Sequence, residues 1–153
     1  MVLTDYLRAS AICTNLEVSQ RDDAVRSLLE AFVDTGEMPA DLLETALEAI
    51  LDRERLGSTA IGRGVAVPHA RLAELEDILV GFAFSPAGVE FNALDGAPVH
   101  EVFLIIAPKD RTDEYVTVME GITRLVQNAD FRSFVSQAAG AEDVLALIEE
   151  MAG

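Results

Sequence analysis

The sequence is almost without lysine, and its charge balance excludes several classes of partner. Lys109 is the only lysine. Together with ten arginines it stands against 27 aspartate and glutamate residues, which gives a formal net charge of −16. A chain this acidic repels the phosphate backbone of nucleic acids and the anionic surface of membranes. We therefore expect no nucleic-acid partner.

Cysteine and long apolar runs are equally scarce. Cys13 is the only cysteine, so no internal disulfide can form, and this favours a reducing compartment. No apolar run approaches the roughly 20 residues of a membrane-spanning helix, and residues 1–8 lack the pattern of a signal peptide. No group of His, Cys, Asp and Glu has the spacing of metal ligands. We expect a cytoplasmic protein without membrane insertion, metal or cofactor.

The excess of carboxylates has two readings that the sequence leaves open. Acidic residues with few lysines improve solubility, and they would do so in a salt-rich cytosol. They can also form a docking face for a basic partner. General solubility accounts for most of the carboxylates, and a local docking face remains compatible with it.

The chain has 153 residues, and half of them are hydrophobic. This predicts a single domain over residues 1–153. Apolar residues at helical spacing, broken by Gly36 and Pro39, predict two helices before residue 57. Apolar runs bounded by turns predict strands at 58–61, 65–67, 78–84 and 102–107. The later helices are predicted at 112–127, 131–138 and 142–151.

Helices that precede, separate and follow buried strands indicate an α/β sandwich. We predict an α/β fold with a mixed β-sheet of about four or five strands, flanked by helices on both faces. The order of the strands does not follow from the pattern.

The segment from Gly57 to Arg71 carries the chemistry. It contains His69, one of two histidines in the chain, directly after Pro68. Proline fixes its own φ angle and biases the preceding residue towards an extended backbone, so we expect His69 at the end of a strand, pointing in a defined direction. Neutral imidazole is a nucleophile, and an upstream arginine such as Arg53 can hold phosphoryl oxygens with its planar fork.

The run Val65-Ala66-Val67-Pro68-His69 resembles the active-site signature of the type-2 IIA proteins of the bacterial phosphoenolpyruvate-dependent phosphotransferase system. This family includes the fructose and mannitol type and nitrogen-regulatory relatives. The resemblance implies a mixed sheet with flanking helices, and it implies that His69 accepts phosphate from the phosphocarrier HPr. The phosphate would pass to the IIB domain of a sugar permease, or its presence would be read by a regulatory target. Arg53, sixteen residues before His69, matches an arginine of the family site.

Three further residues are candidates for contact with the phosphate. The hydroxyl groups of Ser58 and Thr59 could donate hydrogen bonds to a phosphoryl oxygen, although turn or capping roles are at least as common for such residues. Tyr115 stands where many family members carry a second active-site histidine. Its hydroxyl could donate a hydrogen bond, or its ring could simply fill the space, but it cannot supply a positive charge. Arg55, Arg63 and His100 are expected to be structural or surface residues.

Three functions are compatible with some of these residues. The first is a phosphocarrier, a component of a transfer chain rather than a stand-alone enzyme. The alternative is a purely regulatory protein-binding module of the nitrogen type, which does not feed a sugar permease. The third, a hydrolase with His69 as base, lacks a partner nucleophile, a GxSxG elbow and a Walker loop.

Overall fold

The computed structural model describes residues 3–152, which form one mixed β-sheet with α-helices packed on both of its faces. The strands are β1 (Leu7–Cys13), β2 (Ala60–Gly62), β3 (Val65–Ala66), β4 (His69–Arg71), β5 (Leu79–Val89) and β6 (Val99–Ala107). The helices are α1 (Arg21–Asp34), α2 (Leu43–Leu56), α3 (Thr112–Gln127), α4 (Ala129–Val135) and α5 (Ala141–Ala152). No helix within 3–152 is long and apolar enough to cross a membrane.

The sheet has the order β1-β5-β6-β3-β2, and β4 also pairs with β6. Strand β6 runs antiparallel to β5 on one side and parallel to both β3 and β4 on the other, while β1 is parallel to β5 and β2 antiparallel to β3. The six described strands therefore occupy five positions, because β3 and β4 share one edge of β6. This confirms the predicted mixed α/β sheet.

Strand β6 lies between two hydrophobic cores. Its residues alternate across the sheet: Val102, Leu104 and Ile106 belong to the core beneath α1 and α2. Phe103 and Ile105 belong to the core beneath α3, α4 and α5. A strand with both faces covered shows a continuous apolar run instead of alternation, which is why the run at 102–107 predicted a doubly buried strand. The prediction of helices on both faces is confirmed.

The strand position next to β6 is interrupted at Pro68. Ala66 of β3 pairs with Val102, and His69 of β4 pairs with Ile105. Pro68 has no N–H to donate to a ladder, but its carbonyl accepts a hydrogen bond from the Ile105 N–H at 3.1 Å. The chain thus stays in the sheet across the proline. His69 begins a new short strand, whereas the sequence predicted it at the end of one.

A buried carboxylate lies on β6, at the residue that pairs with Val65 of β3. Glu101 of β6 is 5% exposed, and its Oε1 has no hydrogen-bond partner within the described chain. Burial raises the pKa of Glu101 to about 7, and the charge of Arg132 on α4 only partly opposes this. The Nε of Arg132 is also buried without an acceptor among the described residues.

We expect Glu101 to make the protein less stable as the pH rises. The pKa is higher in the folded state than the value of 4.5 expected when unfolded, so between these two values the unfolded chain releases a proton that the folded chain keeps. The contribution of Glu101 to the free energy of unfolding therefore falls as the pH rises from about 4.5 to about 7. Glu101→Gln should raise the free energy of unfolding by about 1–3 kcal/mol at pH 8 and leave it close to wild type at pH 4.

Urea denaturation at both pH values measures this difference. Glu120→Gln removes an exposed carboxylate and serves as the control. If Glu101→Gln and wild type differ in free energy of unfolding by the same amount at pH 4 and pH 8, the raised pKa of Glu101 is contradicted.

Candidate functional site

The histidine of the signature is held in one tautomer by the backbone carbonyl of a neighbouring residue. His69 is half-buried at the start of β4, and its Nδ1 lies 2.8 Å from the carbonyl oxygen of Val67. A carbonyl oxygen can only accept, so Nδ1 carries the hydrogen of the neutral ring. The lone pair of the neutral imidazole is then on Nε2. Nε2 is therefore the ring nitrogen that is available to act as a nucleophile.

Arg53 reaches the site from the last turn of α2, which packs against β4. Its Nη1 donates to the carbonyl oxygen of Gly57 at 2.8 Å, so the guanidinium is tied to the residue that ends the helix. No Asp or Glu in the described chain forms an ion pair with Arg53. By contrast, the neighbouring Arg55 is exposed and paired with Asp52.

Tyr115 stands over the site from the first turn of α3. Its ring centroid is 6.4 Å from that of His69. Burial raises the pKa of Tyr115, while the positive charges of Arg71 and Arg53 act in the opposite direction. Both arginines are thus close enough to Tyr115 for their charge to act on it. The structure thus places Tyr115 near His69, and Arg53 close enough to Tyr115 for its charge to act on that ring. That the three residues form a phosphate site stays a prediction.

The hydroxyl groups of Ser58 and Thr59 already have partners inside the protein. Ser58 Oγ donates to the carbonyl oxygen of Phe91 and accepts from the N–H of Ala60, both at 3.0 Å. Thr59 is 7% exposed, and its hydroxyl donates to the carboxylate of Glu54, which also accepts from the Thr59 N–H at 3.2 Å. These contacts order the chain between α2 and β2. Contact of either hydroxyl with a phosphoryl group stays a prediction.

The glycine turn between β2 and β3 lies against His100, the histidine outside the signature. Gly64 has a φ of 77°, and a Cβ added there would lie 3.5 Å from Cδ2 of His100. His100 is itself held by Nδ1, which lies 2.8 Å from the carbonyl oxygen of Ser85. The turn lets β2 fold back on β3 in a left-handed conformation that favours glycine. His100 therefore has the structural role that the sequence indicated.

Arg71 was not among the site residues predicted from the sequence. It lies two residues after His69 on β4, and its Cζ is 5.3 Å from the centroid of the Tyr115 ring. Successive side chains of a strand point to opposite faces, so residues i and i+2 share a face. This spacing would have placed Arg71 beside His69 if residues 69–71 had been predicted as a strand.

The site combines an imidazole with guanidinium groups that have no carboxylate partner in the described chain. Such an arrangement is suited to an anionic electrophile such as a phosphoryl group. Within residues 3–152, no three His, Cys, Asp or Glu side chains are grouped so that they could hold a metal ion.

Known proteins resemble this chain along almost its whole length. The profile of the family described as "Phosphoenolpyruvate-dependent sugar phosphotransferase system, EIIA 2" matches residues 5–151. A nitrogen regulatory protein of Bradyrhizobium diazoefficiens is 30% identical over 148 residues, which are 97% of this chain and 95% of that protein. A fructose-specific EIIA component of Haloferax volcanii is 30% identical over 133 residues, 85% of each chain. The crystal structure of the nitrogen regulatory protein IIA-Ntr from Neisseria meningitidis has a TM-score of 0.86 at 26% identity, covering 95% of this chain and 98% of that one.

Proposed function

This chain belongs to the EIIA 2 family of the phosphoenolpyruvate-dependent sugar phosphotransferase system, and we propose that it is a phosphocarrier that takes up a phosphoryl group on Nε2 of His69. One observation carries the proposal. The Val67 carbonyl accepts from Nδ1 of His69, which leaves the lone pair on Nε2 of a half-buried ring. Arg53 has no carboxylate partner in the described chain, and its positive charge acts on Tyr115, whose ring centroid is 6.4 Å from that of His69.

The proposed step exchanges one P–N bond for another. The lone pair of His69 Nε2 attacks the phosphorus of a phosphohistidine on the donor. The bond from phosphorus to the donor nitrogen breaks, and its electron pair stays on that nitrogen. The His69 ring becomes more positive as the new bond forms, and the Val67 carbonyl stabilises it by accepting from Nδ1–H. Arg53 stabilises the phosphoryl oxygens, so catalysis consists of positioning and electrostatics.

The donor we propose is an HPr-like phosphocarrier in the cytoplasm, as the family resemblance implies. The acceptor is the IIB domain of a sugar permease, or a regulatory target that distinguishes the two phosphorylation states. The fructose-specific relative supports the first acceptor, and the nitrogen regulatory relatives support the second. In either case the chain is one component of a transfer sequence and has no need for a metal or cofactor, because the donor delivers an activated group.

The second candidate function is a purely regulatory binding module of the nitrogen type. The observation that favours it is that the Bradyrhizobium and Neisseria proteins, similar over at least 95% of this chain, are nitrogen regulatory proteins. The two candidates differ in one measurable step. A transport component passes its phosphate to a fructose-type IIB domain, whereas a regulatory module keeps it in the presence of that domain.

We expect His69 alone to be phosphorylated. Incubation with phosphoenolpyruvate, enzyme I and HPr should add one phosphoryl group to wild type, and the adduct should be labile in acid and stable in base, because it is a phosphoramidate. Intact-mass analysis should show no adduct on His69→Ala. The matched control is His100→Ala, which removes the other histidine and should be labelled fully. Label on His69→Ala, or its loss from His100→Ala, would refute the assignment of His69.

Arg53 should accelerate the transfer. Its fork contributes roughly 1.5–3 kcal/mol to binding of a charged oxygen, so Arg53→Ala should slow labelling by about 10- to 100-fold without unfolding the protein. Lysine at this position should restore only part of the rate, because it lacks the fork.

Arg55→Ala is the control for this experiment. It removes the same charge from the same helix at an exposed position paired with Asp52, so its rate should match wild type. Equal rates for Arg53→Ala and Arg55→Ala, measured by rapid quench, would contradict the role of Arg53.

A further inference from the structure

A second arginine lies on the histidine-bearing strand. Arg71 and His69 are both half-buried, and Ala70 between them is buried in the core beneath α1 and α2. Alternation along the strand places His69 and Arg71 on the opposite face, towards α3, with their Cα atoms about 7 Å apart.

The guanidinium of Arg71 is held by the beginning of α3. Its Nη2 donates to the carbonyl oxygen of Lys109 at 2.6 Å and to Thr112 Oγ1 at 2.7 Å. Its Cζ lies 5.3 Å from the Tyr115 ring centroid, which is within the range of a cation–π contact. The same ring lies 6.4 Å from the ring of His69. Tyr115 therefore contacts the cation and faces the nucleophile.

The charge of Arg71 is not compensated. No Asp or Glu in the described chain forms an ion pair with it, in a protein of net charge −16. Its Nε is buried, and no acceptor for it lies within residues 3–152. A partly buried guanidinium without a carboxylate is unfavourable unless an anion binds there. Such an anion would be beside His69.

We propose that Arg71 is a second phosphate-binding arginine, which contacts an oxygen of the phosphoryl group on His69, and that the Tyr115 ring is its positioning residue. This inference rests on the proposed function of His69. Arg53 comes from the end of α2 and Arg71 from β4, so the two guanidinium groups reach the phosphoryl group from different elements. Arg71 forms no covalent bond, and the P–N exchange is unchanged. The planar fork of each guanidinium group suits bidentate binding of phosphoryl oxygens.

The test measures the single-turnover rate of labelling at saturating phosphorylated HPr, which separates the chemical step from docking. Arg71→Gln should be slower by about 10- to 100-fold, and Arg71→Lys should fall between it and wild type because it keeps the charge without the fork. The control is Arg124→Gln, which removes an equal charge from an exposed position on α3, roughly 18 Å along the helix from Thr112, the residue that binds Arg71. It should label at the wild-type rate.

The positioning role of Tyr115 is tested by a double-mutant cycle. Tyr115→Phe keeps the ring and should be slowed less than Tyr115→Leu, which should be about 3- to 10-fold slower than wild type. In the Arg71→Gln background, Tyr115→Leu should have no further effect, because there is no guanidinium left to position. A merely structural role would slow both backgrounds equally.

The outcomes separate the two proposals. Wild-type labelling together with an Arg71→Gln rate equal to Arg124→Gln overturns the role of Arg71 alone. A Tyr115→Phe variant that is as slow as Tyr115→Leu overturns positioning by the ring and supports direct contact by the hydroxyl. No labelling of wild type overturns the proposed function and this inference together. Circular dichroism tests whether each variant is folded. If Arg71→Gln is not folded, the rate of Arg71→Lys decides, and a wild-type rate of Arg71→Lys overturns the proposal.

Discussion

The parallel pairing of β6 with two short strands, one on each side of Pro68, fixes the position of His69. β3 and β4 hydrogen-bond to the same edge of β6, and the proline between them cannot donate to the ladder. In this geometry the Val67 carbonyl accepts from the ring of His69 instead of from a neighbouring strand. One backbone group thereby sets the direction of the imidazole and its tautomer. The chemistry proposed for the site depends on both.

The two hydrophobic cores make this arrangement rigid. β6 is covered by α1 and α2 on one face and by α3, α4 and α5 on the other. The same packing brings the end of α2 and the beginning of α3 to β4 from either side, and these are the elements that carry Arg53 and Tyr115. The site therefore gathers residues that are far apart in the chain.

Much of the fold could be predicted because long, strongly patterned elements carry their own signal. The predicted helix at 112–127 coincides with α3, and the apolar run at 102–107 lies within β6. The strands β1 and β4 were not predicted. β1 contains two alanines and alternates weakly, and β4 has only three residues, two of them charged or titratable, so neither shows a strand pattern. Both are strands because of their pairing with β5 and β6.

The same limit applies to the site. His69, Arg53 and Tyr115 became candidates because the sequence resembles the signature of a known family and matches its spacing. The hydroxyl of Ser58 could not be assigned, since its acceptor is the carbonyl of Phe91, 33 residues later. Arg71 was missed because its importance depends on β4 and on contacts with Lys109, Thr112 and Tyr115 across the sheet.

In the proposed reaction the Val67 carbonyl holds the hydrogen on Nδ1 of His69 and so makes Nε2 the nucleophile. The most direct measurement is the NMR spectrum of the phosphorylated protein with ¹⁵N-labelled histidine, in which the coupling between ³¹P and ¹⁵N identifies the nitrogen bonded to phosphorus. Phosphorus bonded to Nε2 of His69 is the result that this account predicts. Phosphorus bonded to Nδ1 would contradict it, because that nitrogen would then have lost the hydrogen that it donates to Val67.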